Sequence, residues 1–536
     1  MERFRHDGDD GASGVVATFI TFPLPGDACA GTSNTAIRVS RGSQHDGLCR
    51  IFMPSWRVRN NDRIMIYTYV TFLAPIVLAL RLCIVAVVIV HVLLTKRDVG
   101  ASIGWIGVTV LMPLTGGILY SMFGINRVRR RAKRLVGLHP WHSRTMTSRW
   151  RRGEEGRFAP LAEMVTKLTQ RPLLAGNLVT QLHDGDSAYP QMLAAIEGAQ
   201  STVLLCSYIF RPDEIGHKFC DALIAAHRRG AQVRVLVDGV GSGYFHCAIA
   251  SRLARAGVPV GRFMHSMLPW RMPFINMRDH KKILVVDGQT GFMGGLNIGR
   301  ENLTALHPAH PVSDTHFRIA GPVIHQLSEA FARDWTFTTG EELLADLFFP
   351  EQKAHGDSLT RIVTAGPDSD LEKIEYTMLQ AIPMARHSVR LMTPYFLPDD
   401  RFLTELALAA LRGIEVDIIV PRHSNHIFID WARAANLPRF LDSGCRVWQA
   451  RPPFNHSKLM VVDRHWSFVG SSNIDVRSLR LNFEINLEIY DDTLAATIDD
   501  FIIRHRHERL THHDLDRRSL PVRLRDASAR LLLPYL

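Results

Sequence analysis

Two stretches of this 536-residue chain carry the same ionisable side chains at the same spacing. "DHKKILVVDGQTGFMGGLN" occupies 279–297 and "NHSKLMVVDRHWSFVGSSN" occupies 455–473. His280, Lys282, Asp287, Gly294 and Asn297 match His456, Lys458, Asp463, Gly470 and Asn473, each pair 176 residues apart. One H-x-K-x4-D arises by chance in roughly one such chain in fifteen, and two copies in register leave chance below about 1%. In a strand, residues i and i+2 share a face, so each His projects beside its Lys. Two such rails facing each other give a pocket with two imidazoles, two ammonium groups and the amides of Asn297 and Asn473. Lys and amide N–H groups stabilise charge on phosphoryl oxygens, while one imidazole attacks phosphorus and the other protonates the leaving oxygen.

An attacking imidazole needs its second nitrogen tied to a carboxylate. Asp314, in "SDTHFRI", and Glu484, in "NFEINLEI", occupy parallel places after the motifs and are the candidates to orient the histidines. Asp287 and Asp463 complete the catalytic candidates, although an aspartate ending a strand often serves the turn. The copies differ in two places. Asp279 stands where the second copy has Asn455, and is expected to repel an anion or pair with Arg278. Ser471 and Ser472 replace a Gly-Leu pair and are expected to donate to phosphate on one side only.

The elements that must hold these groups are themselves repeated. "PQMLAAIEGAQSTVLLCSYIFRPDE" (190–214) recurs in outline as "YTMLQAIPMARHSVRLMTPYFLPDD" (376–400). Each reads as a helix, an apolar strand and then Phe-x-Pro-Asp, from Phe210 and Phe396. Next come an amphipathic helix closed by Gly230 or Gly413 and a further strand. Alternating helix and strand predicts an α/β fold of two duplicated lobes, 172–350 and 351–536.

The formal charge of +11 favours anionic partners and does not choose between nucleic acid and an acidic membrane. Seven scattered cysteines without a CxxC pair argue against a disulfide framework or structural zinc, and no metal ligand set or cofactor is called for. Residues 101–125 carry no charge and 70–94 carry only Arg81 and His91, so the two runs predict a transmembrane hairpin within 65–126. Arg81 is expected to snorkel to one interface. Arg57, Arg59 and Arg63 precede the hairpin, and "RVRRRAKR", six basic residues in eight, follows it. The positive-inside rule then places the catalytic part in the cytoplasm, on a multi-pass protein of the bacterial inner membrane. Residues 1–64 read as a disordered head that the native protein need not contain, with Met53 or Met65 as alternative starts. The basic stretch 127–171, with Trp141 and Trp150, reads as an interfacial linker. An aperiodic apolar segment, 263–277, could dip Trp270, Met272 and Phe274 into the bilayer or tuck under its own lobe. The basic amphipathic C-terminus is expected to pack on the second lobe.

The paired motifs resemble those of the phospholipase D superfamily. With "NFEINLEIYD", "VGSSNIDVRSLRLN", "DGVGS", the "RIAGPV" after Asp314 and the hairpin, the chain over roughly 65–536 is similar to the bacterial cardiolipin synthases. The resemblance implies two α/β/α sandwich lobes with the pocket between them. It also implies metal-independent transfer of a phosphatidyl group from one phosphatidylglycerol to another through a phosphohistidine, with glycerol released. By analogy His280 is the nucleophile and His456 the acid/base, while Lys282, Lys458, Asn297 and Asn473 hold phosphate. Phosphatidylglycerol and anionic membrane lipids are then the partners, with no nucleic acid, and oligomeric state is unreadable. Two competing readings stay open: another phosphatidyltransferase, hydrolase or nuclease of the superfamily, and a non-enzymatic membrane scaffold.

Overall fold

The apolar runs inside the motifs, Ile283–Val286 and Leu459–Val462, are fully buried four-residue strands of one mixed sheet. Continuous Val, Ile and Leu is what a strand covered on both faces demands. The computed structural model describes residues 69–96, 99–124, 155–265, 277–343, 346–367 and 370–531. Arg57, Arg59, Arg63, the 127–134 basic run, Trp141, Trp150, Trp270, Met272 and Phe274 all lie outside the described residues. The chain forms two compact units, Met1–Val87 and Val88–Leu536.

Fifteen strands make the main sheet of the second unit. At its centre Leu174–His183 pairs antiparallel with Ser358–Ala365. Outward on one side come Thr315–Ala320, Thr290–Gly294, Ile283–Val286, Thr202–Ser207, Gln232–Asp238 and Val260–Phe263. Outward on the other come Glu484–Tyr490, Trp466–Gly470, Leu459–Val462, Ser388–Met392, Glu415–Pro421 and Arg446–Ala450, with Glu508–Arg509 added at the edge. The two orders correspond strand for strand, so the duplication is real in three dimensions. The expected separate lobes differ in one respect: their inner strands pair, and neither half keeps a free inner edge. One apolar core crosses the join, with Ile283, Val285, Met293 and Phe317 of the first half beside Leu459, Val461, Val469 and Ile485 of the second.

The repeated Phe-x-Pro-Asp has a structural task in both halves. Phe210 and Phe396 are buried, and Asp213 and Asp399 cap the next helices by accepting from Gly216 N and Phe402 N. Gly230 and Gly413 follow those helices at φ 103° and 86°, the left-handed backbone that a C-terminal glycine permits. Residues 155–171, read as the end of a linker, instead form the helix Ala159–Thr169, with Leu161 and Val165 buried against the second half. Its anchor is Arg361, which donates to Ala162 O and Thr166 Oγ1 and ion-pairs with Glu488, both charged side chains being wholly buried. The C-terminal helix Leu520–Leu531 does pack on the second half: Ala529 joins Ile429 and Ala432, and Arg525 stacks over Trp431 at 4.3 Å.

Thr71–Thr95 is a helix of 25 residues with mean hydropathy 2.9, long and apolar enough to cross a membrane. Arg81 lies near its middle and is exposed. The expected second span differs. Val99–Leu111 has only 13 residues, about 20 Å of helix, and Pro113 starts a separate helix, Pro113–Leu119. That helix folds back on its predecessor at Met112, so closely that a Cβ on Gly116 would sit 2.7 Å from Thr109 Cα. Tyr120 then shares a 2.7 Å hydrogen bond with His91 and packs edge-on to Trp105.

Replacing Arg361 by alanine strands the Glu488 carboxylate in the core and should cost about 3–5 kcal/mol, read as a lowered denaturant midpoint.

Candidate active site

His280 and Lys282 lie on the extended approach to Ile283–Val286, and His456 and Lys458 on the approach to Leu459–Val462. Their backbones are stitched across the pseudo-twofold. His280 N donates to Phe483 O at 2.9 Å, and His456 N donates to Ser313 O at 2.7 Å. The side chains cross in the same way. His280 Nδ1 lies 3.0 Å from Glu484 Oε2 and 3.1 Å from the Ser471 carbonyl, both from the second half. His456 Nδ1 lies 2.7 Å from Asp314 Oδ2 of the first half. The Ser471 carbonyl can only accept, so His280 Nδ1 carries the proton and its Nε2 keeps a lone pair. His456 Nδ1 has Lys458 Nζ at 2.8 Å as well as the ionised Asp314, and with the lysine donating to the His456 carbonyl the same tautomer holds there. The two rings face each other nearly perpendicular, centroids 6.4 Å apart. The structure therefore brings both histidines and both orienting carboxylates into one site, each carboxylate serving the other half's histidine.

Lys282 Nζ and Lys458 Nζ each donate to the carbonyl of their own motif histidine, Lys282 at 2.7 Å. Burial, and then mutual repulsion for Lys282, brings the ammonium groups down to about 7 for Lys282 and about 8 for Lys458. Burial and the neighbouring lysines push His280 well below its usual range and His456 down to about 3, so both rings are neutral near neutral pH. The two carboxylates diverge. Burial lifts Glu484 to about 7, whereas at Asp314 the attraction of Lys458 and His456 outweighs burial and holds the acid below its ordinary value.

The remaining candidates have other tasks. Asp287 accepts from the amides of Gln200, Ser201 and Thr202, and Asp463 from those of Arg386, His387 and Ser388 and from Arg157. Both sit at the far end of their strands with φ near +50° (52° and 53°), holding a turn rather than meeting the histidines. Asn297 Oδ1 accepts from Ile209 N at 3.3 Å, and Asn473 Nδ2 donates to Ser478 Oγ at 3.2 Å while its buried Oδ1 has no hydrogen-bond partner. The expectation that Ser471 and Ser472 donate to phosphate is corrected: the Ser471 hydroxyl is spent on Glu484, and Ser472 Oγ donates to Asn473 O. Asp279 neither faces the pocket nor pairs with Arg278. It is buried, accepts from Lys281 N, and burial beside Asp334 lifts its acid to about 8. Asn455 Oδ1 takes the same bond from Ser457 N, which is why Asp and Asn interchange there.

Three residues were not singled out from sequence. The Tyr208 ring meets His280 edge-on at 4.9 Å and the Tyr395 ring meets His456 at 6.1 Å. Both lie just before the repeated phenylalanines but out of register, Tyr208 two residues ahead of Phe210 and Tyr395 one ahead of Phe396, so the repeat does not mark them. His316, buried and drawn down to about 4 by burial, has an Nδ1 without a partner. Nothing in the sequence marked it.

The family described as "Cardiolipin synthase, PLD-like domain" matches this chain at 192–335 and 378–505, spanning both motifs. The chain is 33% identical over 460 residues to the major cardiolipin synthase of Bacillus subtilis (strain 168), covering 82% of this chain and 95% of that one. The chain belongs to the bacterial cardiolipin synthase family. It is also 31% identical over 493 residues to cardiolipin synthase A of Pseudomonas aeruginosa (strain LESB58), covering 89% and 99% of the two chains. A second family, "Phospholipase_D-nuclease N-terminal", matches residues 83–124. Among solved structures, phosphatidylserine synthase of Haemophilus influenzae Rd KW20 superposes with a TM-score of 0.55, covering 70% of this chain and all of that one at 16% identity, a likeness of fold. As a cardiolipin synthase homologue with an apolar N-terminal helix, the protein is membrane-associated.

Asp463→Ala should cost about 1–3 kcal/mol of stability through three unsatisfied amides, with kcat per folded molecule changed less than about tenfold. Acid should also unfold the protein through its histidines. Neutral when folded, they bind protons first in the unfolded chain as pH falls from 6.5, towards about 3 for His456, so stability drops over that window. Glu484, protonated in the fold up to about 7, opposes them above its ordinary 4.5, so the drop should steepen below that pH. A His280→Gln/His456→Gln double variant should flatten the curve of melting temperature against pH.

Proposed function

We propose that this protein is a cardiolipin synthase that moves a phosphatidyl group between two phosphatidylglycerol molecules. The observation that carries the reading is the pair of neutral imidazoles, 6.4 Å apart by centroid and each fixed by a carboxylate from the opposite half. Around a phosphodiester between them, whose negative charge favours uptake of a proton at His456 Nε2, His280 Nε2 forms the N–P bond as the first lipid's glycerol oxygen leaves with that proton. The free hydroxyl of a second phosphatidylglycerol then attacks the same phosphorus, its proton passes to His456 Nε2, and the N–P bond breaks. Each step returns the other's proton, so no outside acid or base is consumed.

Roles divide along the asymmetry of the carboxylates. Asp314, held ionised, stabilises the imidazolium that His456 is before it protonates the leaving oxygen and again after it takes the acceptor's proton. The double acceptor on His280 Nδ1, Glu484 with the Ser471 carbonyl, keeps the tautomer that leaves Nε2 free to attack. Lys282 and Lys458, with Asn297 and Asn473, neutralise the equatorial oxygens. Thr71–Thr95 anchors the chain, residues 99–124 sit in the bilayer beside it, and the basic run 127–134 supports a cytoplasmic catalytic part. A bilayer anchor suits an enzyme of lipids and hinders one of soluble nucleic acid, which sets the nuclease reading second. We further infer that the catalytic part divides near residue 350 into the two repeats.

Purified protein should convert phosphatidylglycerol alone to cardiolipin and glycerol, leave DNA intact and be unaffected by EDTA. His280→Ala and His456→Ala should each lower turnover by about 10⁴-fold or more. DNA cleavage without cardiolipin would overturn the reading.

A further inference from the structure

Beside the catalytic centre lies a cavity of about 380 Å³ that the transfer chemistry just described does not use. Its lining is strongly basic, with Arg451, Arg504, Arg506 and His507 together with Ser313 and Asn455, and no carboxylate lines it. Ser313 and Asn455 form one wall: their strands pair in parallel, and Asn455 Nδ2 donates to Ser313 Oγ at 3.3 Å. Ser313 immediately precedes Asp314 and Asn455 immediately precedes His456. Consecutive Cα atoms are about 3.8 Å apart, so the cavity begins one residue from the proton-transfer pair.

Two of the three arginines, Arg451 and Arg504, form no ion pair among the described residues. Arg504 ends the helix Asp492–Arg504, is exposed, and forms no ion pair among the described residues. Arg451 donates to His507 Nδ1 at 3.0 Å and to no carboxylate among the described residues. Arg506 stacks over Trp448 and reaches Asp417 at 3.4 Å, yet its Nε is buried without a partner. Asp417 itself is also held by Arg446, and the nearby Asp184 is occupied by Ser313 Oγ and the Asp314 amide. Positive charge is therefore left over in the cavity, in the fork geometry that suits phosphate.

The reaction has a use for it. A second phosphatidylglycerol must bring its own phosphodiester to within a three-carbon glycerol of the phosphohistidine, and two like charges at that separation repel. Lys282 and Lys458 are already engaged at the first phosphorus. We propose that the Arg451–Arg504–Arg506 cavity holds the phosphodiester of the acceptor lipid while its terminal hydroxyl reaches the phosphohistidine beside His456. The inference rests on the cardiolipin synthase reading and adds the determinant that selects an anionic acceptor over a neutral alcohol. The acceptor oxygen forms the new O–P bond, the N–P bond to His280 breaks, and the hydroxyl proton passes to His456.

The test compares two acceptors for one intermediate, using the full-length protein in phosphatidylglycerol vesicles. Cardiolipin formation reports the anionic acceptor, and incorporation of labelled glycerol into phosphatidylglycerol reports a neutral one. In Arg504→Ala and Arg451→Ala the ratio of the first rate to the second should fall about tenfold or more, with partial recovery in Arg504→Lys. An unchanged ratio, whether both rates hold or fall together, overturns the proposal. Millimolar inorganic phosphate that accelerates glycerol exchange in the parent but not in Arg504→Ala would mark a regulatory free-phosphate site and overturn the lipid assignment. Absence of cardiolipin from the parent protein would instead overturn the synthase reading on which the proposal rests.

Discussion

The constraint on which the rest depends is the exchange of carboxylates across the pseudo-twofold. Glu484 of the second half orients His280 of the first, and Asp314 of the first orients His456 of the second. An imidazole that must attack or trade protons needs one fixed tautomer, and here that requirement can be met only while the halves are docked. The paired inner strands and the core that runs through them are what keep them docked. Backbone bonds from His280 to Phe483 and from His456 to Ser313 add local rigidity where the rings emerge.

Burial then does electrostatic work. Four ionisable side chains, two histidines and two lysines, crowd a buried site, and desolvation disfavours the charged form of each. Neutral rings can act as nucleophile and base. Lysines brought down to about 7 and 8 are charged most readily when an anion sits between them, so the pocket favours charge that the substrate supplies.

Much of this was legible in the sequence because spacing encodes it. The i, i+2 placement of His and Lys before a four-residue apolar run predicted the rails, and the repeat predicted two duplicated α/β halves. The partners across the pseudo-twofold were named as Asp314 and Glu484, but which serves which ring depends on contacts between distant segments that periodicity does not carry. Asp287 and Asp463 were read both as catalytic candidates and as turn residues, and the turn has a physical reason. An aspartate ending a strand satisfies amides of the neighbouring strand's approach, so its place in the motif reflects folding rather than the reaction. Ser471 and Ser472 looked like donors because hydroxyls were counted without their local acceptors. The second membrane run looked like a spanning helix by composition, and Pro113 was the residue that argued otherwise.

The continuous sheet with its exchanged carboxylates has a consequence for ancestry. A single-copy forebear carrying one motif and one acid could have completed such a centre only as a symmetric dimer. Joining the copies in one polypeptide released them from being identical. One acid could lengthen to glutamate while the other stayed aspartate, one flank could gain arginines, and two imidazoles that began as equals could take up different trades.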